Sequence, residues 1–520
     1  MPQDDPGAAA AAPPPAAVNR KLITACVMLA TIMQTIDSTI ANVALPYMQG
    51  SLAASQDEIN WVLTSYIIAA AIMTTPTGFL AARFGRTRLF VFGVIGFTVT
   101  SVLCGMSQTL GEMVVCRILQ GMFGAGLVPL SQAILLDIYP AEKRGFAMSI
   151  WTMGALIGPV VGPTLGGWLT ENYNWRSVFY INVPFGVLTA VGLMTFLKET
   201  SHSRAIKLDW IGFGALSLAV GAFQAMLDRG ETLDWFSSRE IVLEACLAGL
   251  GFYIFLVQSA LSPKPFLSPK LLADVNFVIA GVFIFMIGLV IFATLALLAP
   301  YLQVMMNYPV ATAGMVLAPR GAGSIIAALV AGRLVQRTGA RVLIGIGFTV
   351  CAIAQYQMTL WTPAISAWTI CCVGFVQGLG VSCISVPLAT IAFSTLPLEL
   401  RTEATGIFSL VRNLGSAIGI SVTGSLLQNN TQVNHAVIAG NVTPFNRTFQ
   451  SGAALKLLNP VSMQGSALLD SEITRQANVI AYLDDFKLML VLTLMALPLV
   501  LLIRPAKRET AEDIPDGVTE

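Results

Sequence analysis

Fourteen apolar runs, each long enough to cross a bilayer core of about 30 Å, constrain this chain more than any other feature of it. They lie at roughly 22–46, 59–80, 88–107, 110–136, 145–169, 175–197, 209–227, 240–261, 275–301, 312–335, 341–361, 364–394, 404–428 and 487–503. Hydrocarbon offers no partner to a backbone N–H or C=O, so each run must close its hydrogen bonds internally, as a helix. The expectation is an all-α membrane protein with 14 transmembrane helices. A mean hydropathy of +0.74, with only 11% of residues charged, leaves no room for a soluble fold. A net charge of +1 and the lack of any dense basic block argue against a nucleic-acid partner.

The polar breaks set the orientation. With the N-terminus in the cytoplasm, inside segments hold nineteen Lys and Arg and outside segments seven, while Arg117, Arg320 and Arg412 stay within the runs. The positive-inside rule then puts both termini in the cytoplasm, as an even helix count requires.

The chain also repeats itself. Gly78-Phe-Leu80-Ala-Ala-Arg83-Phe-Gly85 returns as Gly332-Arg-Leu334-Val-Gln-Arg337-Thr-Gly339, an offset of 254. Pro140-Ala-Glu142-Lys-Arg144 returns as Pro397-Leu-Glu399-Leu-Arg401, and Gly158, Gly162 and Gly167 return as Gly415, Gly419 and Gly424, both at 257. Two parallel six-helix halves follow, at 21–198 and 271–503, with two inserted helices and their linkers at 199–270. Tails at 1–20, rich in Ala and Pro and expected to be disordered, and at 504–520 complete the division. Parallel halves point to alternating access around a site near the midplane between them. The polar and aromatic residues Gln34, Asn42, Trp61, Tyr66, Gln120, Arg320 and Arg412 are the candidate lining of that site.

Asp37 lies within the first run, roughly 24 Å along the helix from Lys21 and 13 Å from Pro46. A carboxylate at that depth is costly unless paired, hydrated or neutral, which makes it a functional candidate. Arg117, in the fourth run, reaches a similar depth, roughly 10 Å from its outer end. Two readings stand open: a permanent ion pair between two helices, or a proton site whose charge governs the arginine. Glu112 and Glu244 lie closer to helix ends. The fifth run carries Gly154, Gly158, Pro159, Gly162, Pro163, Gly166 and Gly167, a spacing that lets another helix approach closely and whose prolines are expected to bend it. It reads either as plain packing or as an interface that slides or seals. The loop from Gly78 through Arg83, Gly85 and Arg86 to Arg88 is either topogenic charge or an inner gate. The long outside segment, 429–486, ends in an amphipathic pattern expected to rest on the membrane or to form a lid or docking surface.

These residues together resemble the major facilitator superfamily. Asp37-Ser-Thr-Ile-Ala-Asn42-Val-Ala-Leu45-Pro46 resembles the first-helix motif of drug:proton antiporters, Gly78 to Arg88 the superfamily's loop 2–3 motif, and Arg117-Ile-Leu-Gln120-Gly121 its fourth-helix arginine motif. The Gly/Pro run resembles the antiporter motif. Fourteen helices, with Trp175-Arg176, Asn182-Val-Pro184 and the late Asp484-Asp-Phe486, narrow the resemblance to the EmrB/QacA-type group and its EmrB branch. It implies a proton-coupled exporter of amphiphilic drugs or toxic small molecules in the bacterial inner membrane. It also implies a periplasmic adaptor of the EmrA kind leading to an outer-membrane channel. A dedicated exporter of one natural product, siderophore or lipid fits the same pattern. The chain departs from the pattern at Ala82, where the loop motif usually has an acid; Asp137, Glu142 and Arg144 offer another gate pair. Arg320 stands where some drug-cation exporters of this group have a carboxylate, so neutral, anionic or monovalent amphiphiles are expected rather than divalent cations.

An enzyme is not expected. Its two histidines, His202 and His435, fall in polar breaks, and the eight cysteines lie in apolar runs without metal-type spacing. No cofactor or metal is implied.

Overall fold

The computed structural model describes residues 20–140, 143–197, 209–263, 265–397, 400–442 and 462–503. Most of both expected tails, the linker 198–208, Glu142, the side chain of Pro159 and part of the long outside segment, 443–461, lie outside the described residues. The helices are α1 (Arg20–Ser51), α2 (Trp61–Thr74 and Thr77–Phe84), α3 (Arg86–Met106), α4 (Leu110–Ile138), α5 (Arg144–Asn172), α6 (Ser177–Phe196) and α7 (Trp210–Arg229). There follow α8 (Arg239–Leu261), α9 (Val275–Met305), α10 (Val310–Thr338), α11 (Ala340–Met358), α12 (Ala367–Ala392), α13 (Arg401–Asn441) and α14 (Met463–Leu499). Thirteen are long and apolar enough to cross a membrane, and the two parts of α2 make a fourteenth span. We call the side where α1 begins and α14 ends the terminal face.

Three elements depart from the sequence expectation. The second run is not one straight helix: its two parts meet at 57° across Thr75 and Pro76. Proline lacks the N–H for an interior helix bond and its ring clashes with the preceding turn. The ninth run widens into π-helical turns at Gly288–Phe292 and Tyr301–Met305. At the first of these, a Cβ on Gly288 would sit 2.3 Å from the Arg412 carbonyl oxygen, so two backbones touch where the turn opens. In the outside segment, finally, the described residues belong to the two flanking spans rather than to a separate helix lying on a surface. α13 continues to Asn441 and α14 already begins at Met463, helices of 41 and 37 residues. They pack side by side through Thr431 to Asn478, 2.9 Å, and His435 to Asp470, 3.1 Å. His435 is therefore helical, not in a break.

The internal repeat reappears as a pseudo-two-fold arrangement. In the first half, Gly158 and Gly162 of α5 lie against Thr35 and Thr39 of α1, and in the second Gly415 and Gly419 of α13 lie against Phe285 and Leu289 of α9. The halves meet by equivalent crossings: Gly78 of α2 rests on Glu403 of α13, and Gly332 of α10 rests on Gly145 and Ser149 of α5. The loop glycines Gly85 (φ 93°) and Gly339 (φ 81°) make the same turn, which a side chain would strain.

α5 and α10 stay in contact along their length, from Gly145 and Gly332 at the terminal face to Thr164 and Gly314 at the other. Across the molecule, toward the opposite face, α7 fills the seam: Asp228 accepts a hydrogen bond from Thr64 of α2, the Leu227 carbonyl one from Ser421 of α13 at 2.9 Å, and the following Trp235 donates to Ser425. α8 packs on α7, with Gly251 against Ala215 and Ala219, and presents large apolar side chains such as Phe252 and Leu256 outward.

Candidate functional site

Asp37 and Arg117 meet in the interior of the first half, both 0% exposed. α1 supplies the carboxylate. α4 supplies Arg117 and, one turn on, Gln120; α6 supplies Asn182. Asp37 Oδ2 accepts from Arg117 Nη1 at 3.0 Å, and Oδ1 accepts from Gln120 Nε2 at 3.0 Å and Asn182 Nδ2 at 2.7 Å. Arg117 also donates from Nη1 to Gln120 Oε1 and from Nε to the Val62 carbonyl, and its guanidinium lies 4.1 Å from the Tyr66 ring centroid. Its Nη2 has no hydrogen-bond partner. Such a carboxylate is held by one cation and two neutral amides, so its charge alone balances Arg117.

The sequence-derived candidates distribute unevenly around this pair. Tyr66 and Gln120 are buried in the same network, and Gln34 joins it by donating to the Tyr66 hydroxyl at 3.2 Å. Trp61 lies beneath Arg229 of α7 at 5.0 Å, and Asn42 is exposed. In the second half, Arg320 is 6% exposed and donates from Nη2 to the Ile291 carbonyl in the first π-turn of α9, while Nη1 has no hydrogen-bond partner. Arg412, half-buried, lies 6.0 Å from the Trp151 ring. The fifth-run glycines Gly154, Gly158, Gly162 and Gly166 all face α1, at Met28, Thr35, Thr39 and Ile40, so this close contact lies inside one half. Gly167 is buried beside them, and α5 runs as one helix through Pro159 and Pro163.

At the terminal face Asp137, at the end of α4, pairs with Arg86 at the start of α3 and with Arg401 at the start of α13, the latter at 3.2 Å. The ion pair therefore crosses between the halves without an acid at position 82. Arg83 is exposed nearby, next to the Gly78 and Gly85 backbone.

The family profile described as Major Facilitator Superfamily matches residues 27–420. This chain belongs to the Major Facilitator Superfamily. It is 35% identical over 494 residues to the multidrug export protein EmrB of Escherichia coli (strain K12), covering 93% of this chain and 95% of that protein. It is 33% identical over 486 residues to the fatty acid resistance protein FarB of Neisseria gonorrhoeae, covering 93% and 96%. Among solved structures it is similar in fold to the human organic anion transporter MFSD10, with a TM-score of 0.57 at 11% identity over 91% of this chain and 99% of that one.

Three polar residues of this superfamily member lie outside the candidate site residues read from the sequence. Asn182 is neutral and sits in an apolar run, so nothing marks it as a partner of Asp37. Asp228 stands one residue past the seventh apolar run, 209–227. Asp485 falls in the polar sequence just before the last apolar run, yet it is 1% exposed and neither carboxylate oxygen has a hydrogen-bond partner. Asp37 is thus not alone as a buried helical carboxylate. Glu112, by contrast, is exposed.

Proposed function

We propose that this chain is a proton-coupled antiporter that exports amphiphilic small molecules by alternating access. The observation that carries the reading is the sealed pair of Asp37 and Arg117, in a chain that covers nearly the whole length of proteins named for multidrug export. A proton on Asp37 removes the charge that balances Arg117 and leaves a buried cation. Breaking a buried pair costs about 3–5 kcal/mol, and about 5.5 kcal/mol turns a two-state equilibrium from 1:99 to 99:1. One proton is therefore of the right order to switch the halves. Asp137, bound to Arg86 and Arg401, serves as the inner gate in this reading, with Arg83 and the glycines of its loop. Arg320 and Arg412 favour neutral, anionic or monovalent amphiphiles over divalent cations.

The protein resides in the bacterial inner membrane with both termini in the cytoplasm, so the terminal face is cytoplasmic. A periplasmic adaptor of the EmrA kind, leading to an outer-membrane channel, docks on the extension of α13 and α14, where Val433, Val437 and Leu468 are exposed. Full drug resistance in cells lacking any such adaptor removes that part of the reading. The coupling is tested by adding a panel of amphiphiles to purified, reconstituted protein and recording proton release. Transport without any proton movement rejects antiport.

A further inference from the structure

One cavity lies outside both the Asp37 network and the seam between the halves. About 900 Å³ opens between α2, α3 and α4, a volume in the range of small-molecule sites. Its walls are graded along the membrane normal. Arg83 and Arg88 stand at the terminal face, and beyond them the wall is apolar apart from Thr77, toward Met73, Leu119 and Met122. From Leu130 up to Leu119 of α4, the lining runs about 16 Å by the helical rise. That is about the depth of one leaflet of a 30 Å core.

The shape has local causes. The 57° bend at Pro76 swings Thr77–Phe84 out of line with the rest of α2. Gly93 and Gly126 contribute lining without side chains. At the mouth, Phe84 and Phe92 are 52% and 63% exposed, which opens the cavity to the bilayer.

We infer that this cavity binds a phospholipid of the cytoplasmic leaflet with an anionic headgroup, its phosphate on Arg83 and Arg88 and an acyl chain along the apolar wall. The sidedness rests on the orientation proposed above; the pocket itself does not depend on transport. An acyl chain gains little by leaving one hydrocarbon environment for another, so headgroup charge sets the preference. Basic pockets between helices at the cytoplasmic side hold anionic headgroups for this reason, with each arginine worth about fivefold in affinity. The occupant reaches past its own pocket, because the Thr77–Phe84 wall also carries Gly78, which rests on Glu403 of the other half. A filled pocket braces the closed cytoplasmic contact.

Native mass spectrometry of the full-length protein in detergent, titrated with phosphatidylglycerol or phosphatidylcholine of equal chain length, reads this preference without reference to sidedness. Wild type is expected to retain phosphatidylglycerol at least tenfold better. Arg83→Gln with Arg88→Gln should abolish the difference. Met122→Trp, which fills the wall and leaves both arginines, should weaken binding of both lipids, and it carries the test if the double variant does not fold. Equal retention of the two lipids by wild type, or an unchanged preference in the double variant, overturns the inference. So does displacement of neither lipid by Met122→Trp, or a pocket that takes a transported amphiphile and no phospholipid.

Discussion

At the scale of single residues, the Asp37 carboxylate holds three donors from two helices, so charge and size can be separated by substitution. Asp37→Asn keeps the volume and removes the exchangeable proton. Uptake driven by an imposed pH gradient in vesicles should fall to background while ligand binding to the purified variant persists; pumping at the wild-type rate makes the pair structural and moves attention to Asp228 and Asp485. Arg117→Lys should be nearly as damaging, at least tenfold in transport rate, since an ammonium cannot donate at once to Asp37, Gln120 and the Val62 carbonyl from the positions the guanidinium uses. Both charged residues were legible in the sequence, because a charge within an apolar run has few bland explanations. Asn182 was not, since a neutral amide costs little in a run and its partner lies 145 positions away. Asp485 was hidden for a different reason: it stands where the run meets polar sequence, and only packing shows that it is buried.

Elements carry the second level of argument. The glycine spacing of α5 announced a close helix contact, but spacing names no partner. The structure supplies α1, with a Cβ at Gly158 falling 2.3 Å from the Thr35 carbonyl carbon. Backbone cannot step aside as a flexible side chain can, so Gly158→Leu overfills this contact by about 1–3 kcal/mol or more. Transport should be abolished in protein that still inserts, and the variant should aggregate at a lower temperature in a detergent melting assay. Wild-type transport would reduce the run to ordinary packing. The bend of α2 was visible only as Pro76 within an apolar run, which hydropathy averages away. The outward lengths of α13 and α14 were unreadable by that same measure. Beyond the bilayer a helix needs no apolar stretch, and two helices that cover each other look like polar loop.

For the whole molecule, the repeat was the most informative sequence feature, because an offset shared by separate motifs dictates equivalent neighbours in space. Gly78 on Glu403 and Gly332 on Gly145 are such neighbours, though no offset could have shown that Asp137 would hold both Arg86 and Arg401. Asp137→Asn removes a charge that spans the halves at the terminal face. Spin labels at Phe84→Cys and Arg341→Cys, in a chain cleared of its eight native cysteines, should then show a longer or broader distance distribution; an unchanged one denies the gate. A cysteine in place of Thr510 should react only with reagent supplied from the cytoplasm. Labelling from outside reverses the topology. α13 has one more consequence. It crosses α9 at Gly415, near the middle of the spans, and runs unbroken to Asn441, about 39 Å farther on by the helical rise. A stiff rod pinned at that crossing works as a lever arm: a tilt of about 10° inside the bilayer sweeps its far tip through about 7 Å. Whatever sits on that tip can sense which way the transporter faces without touching its cargo.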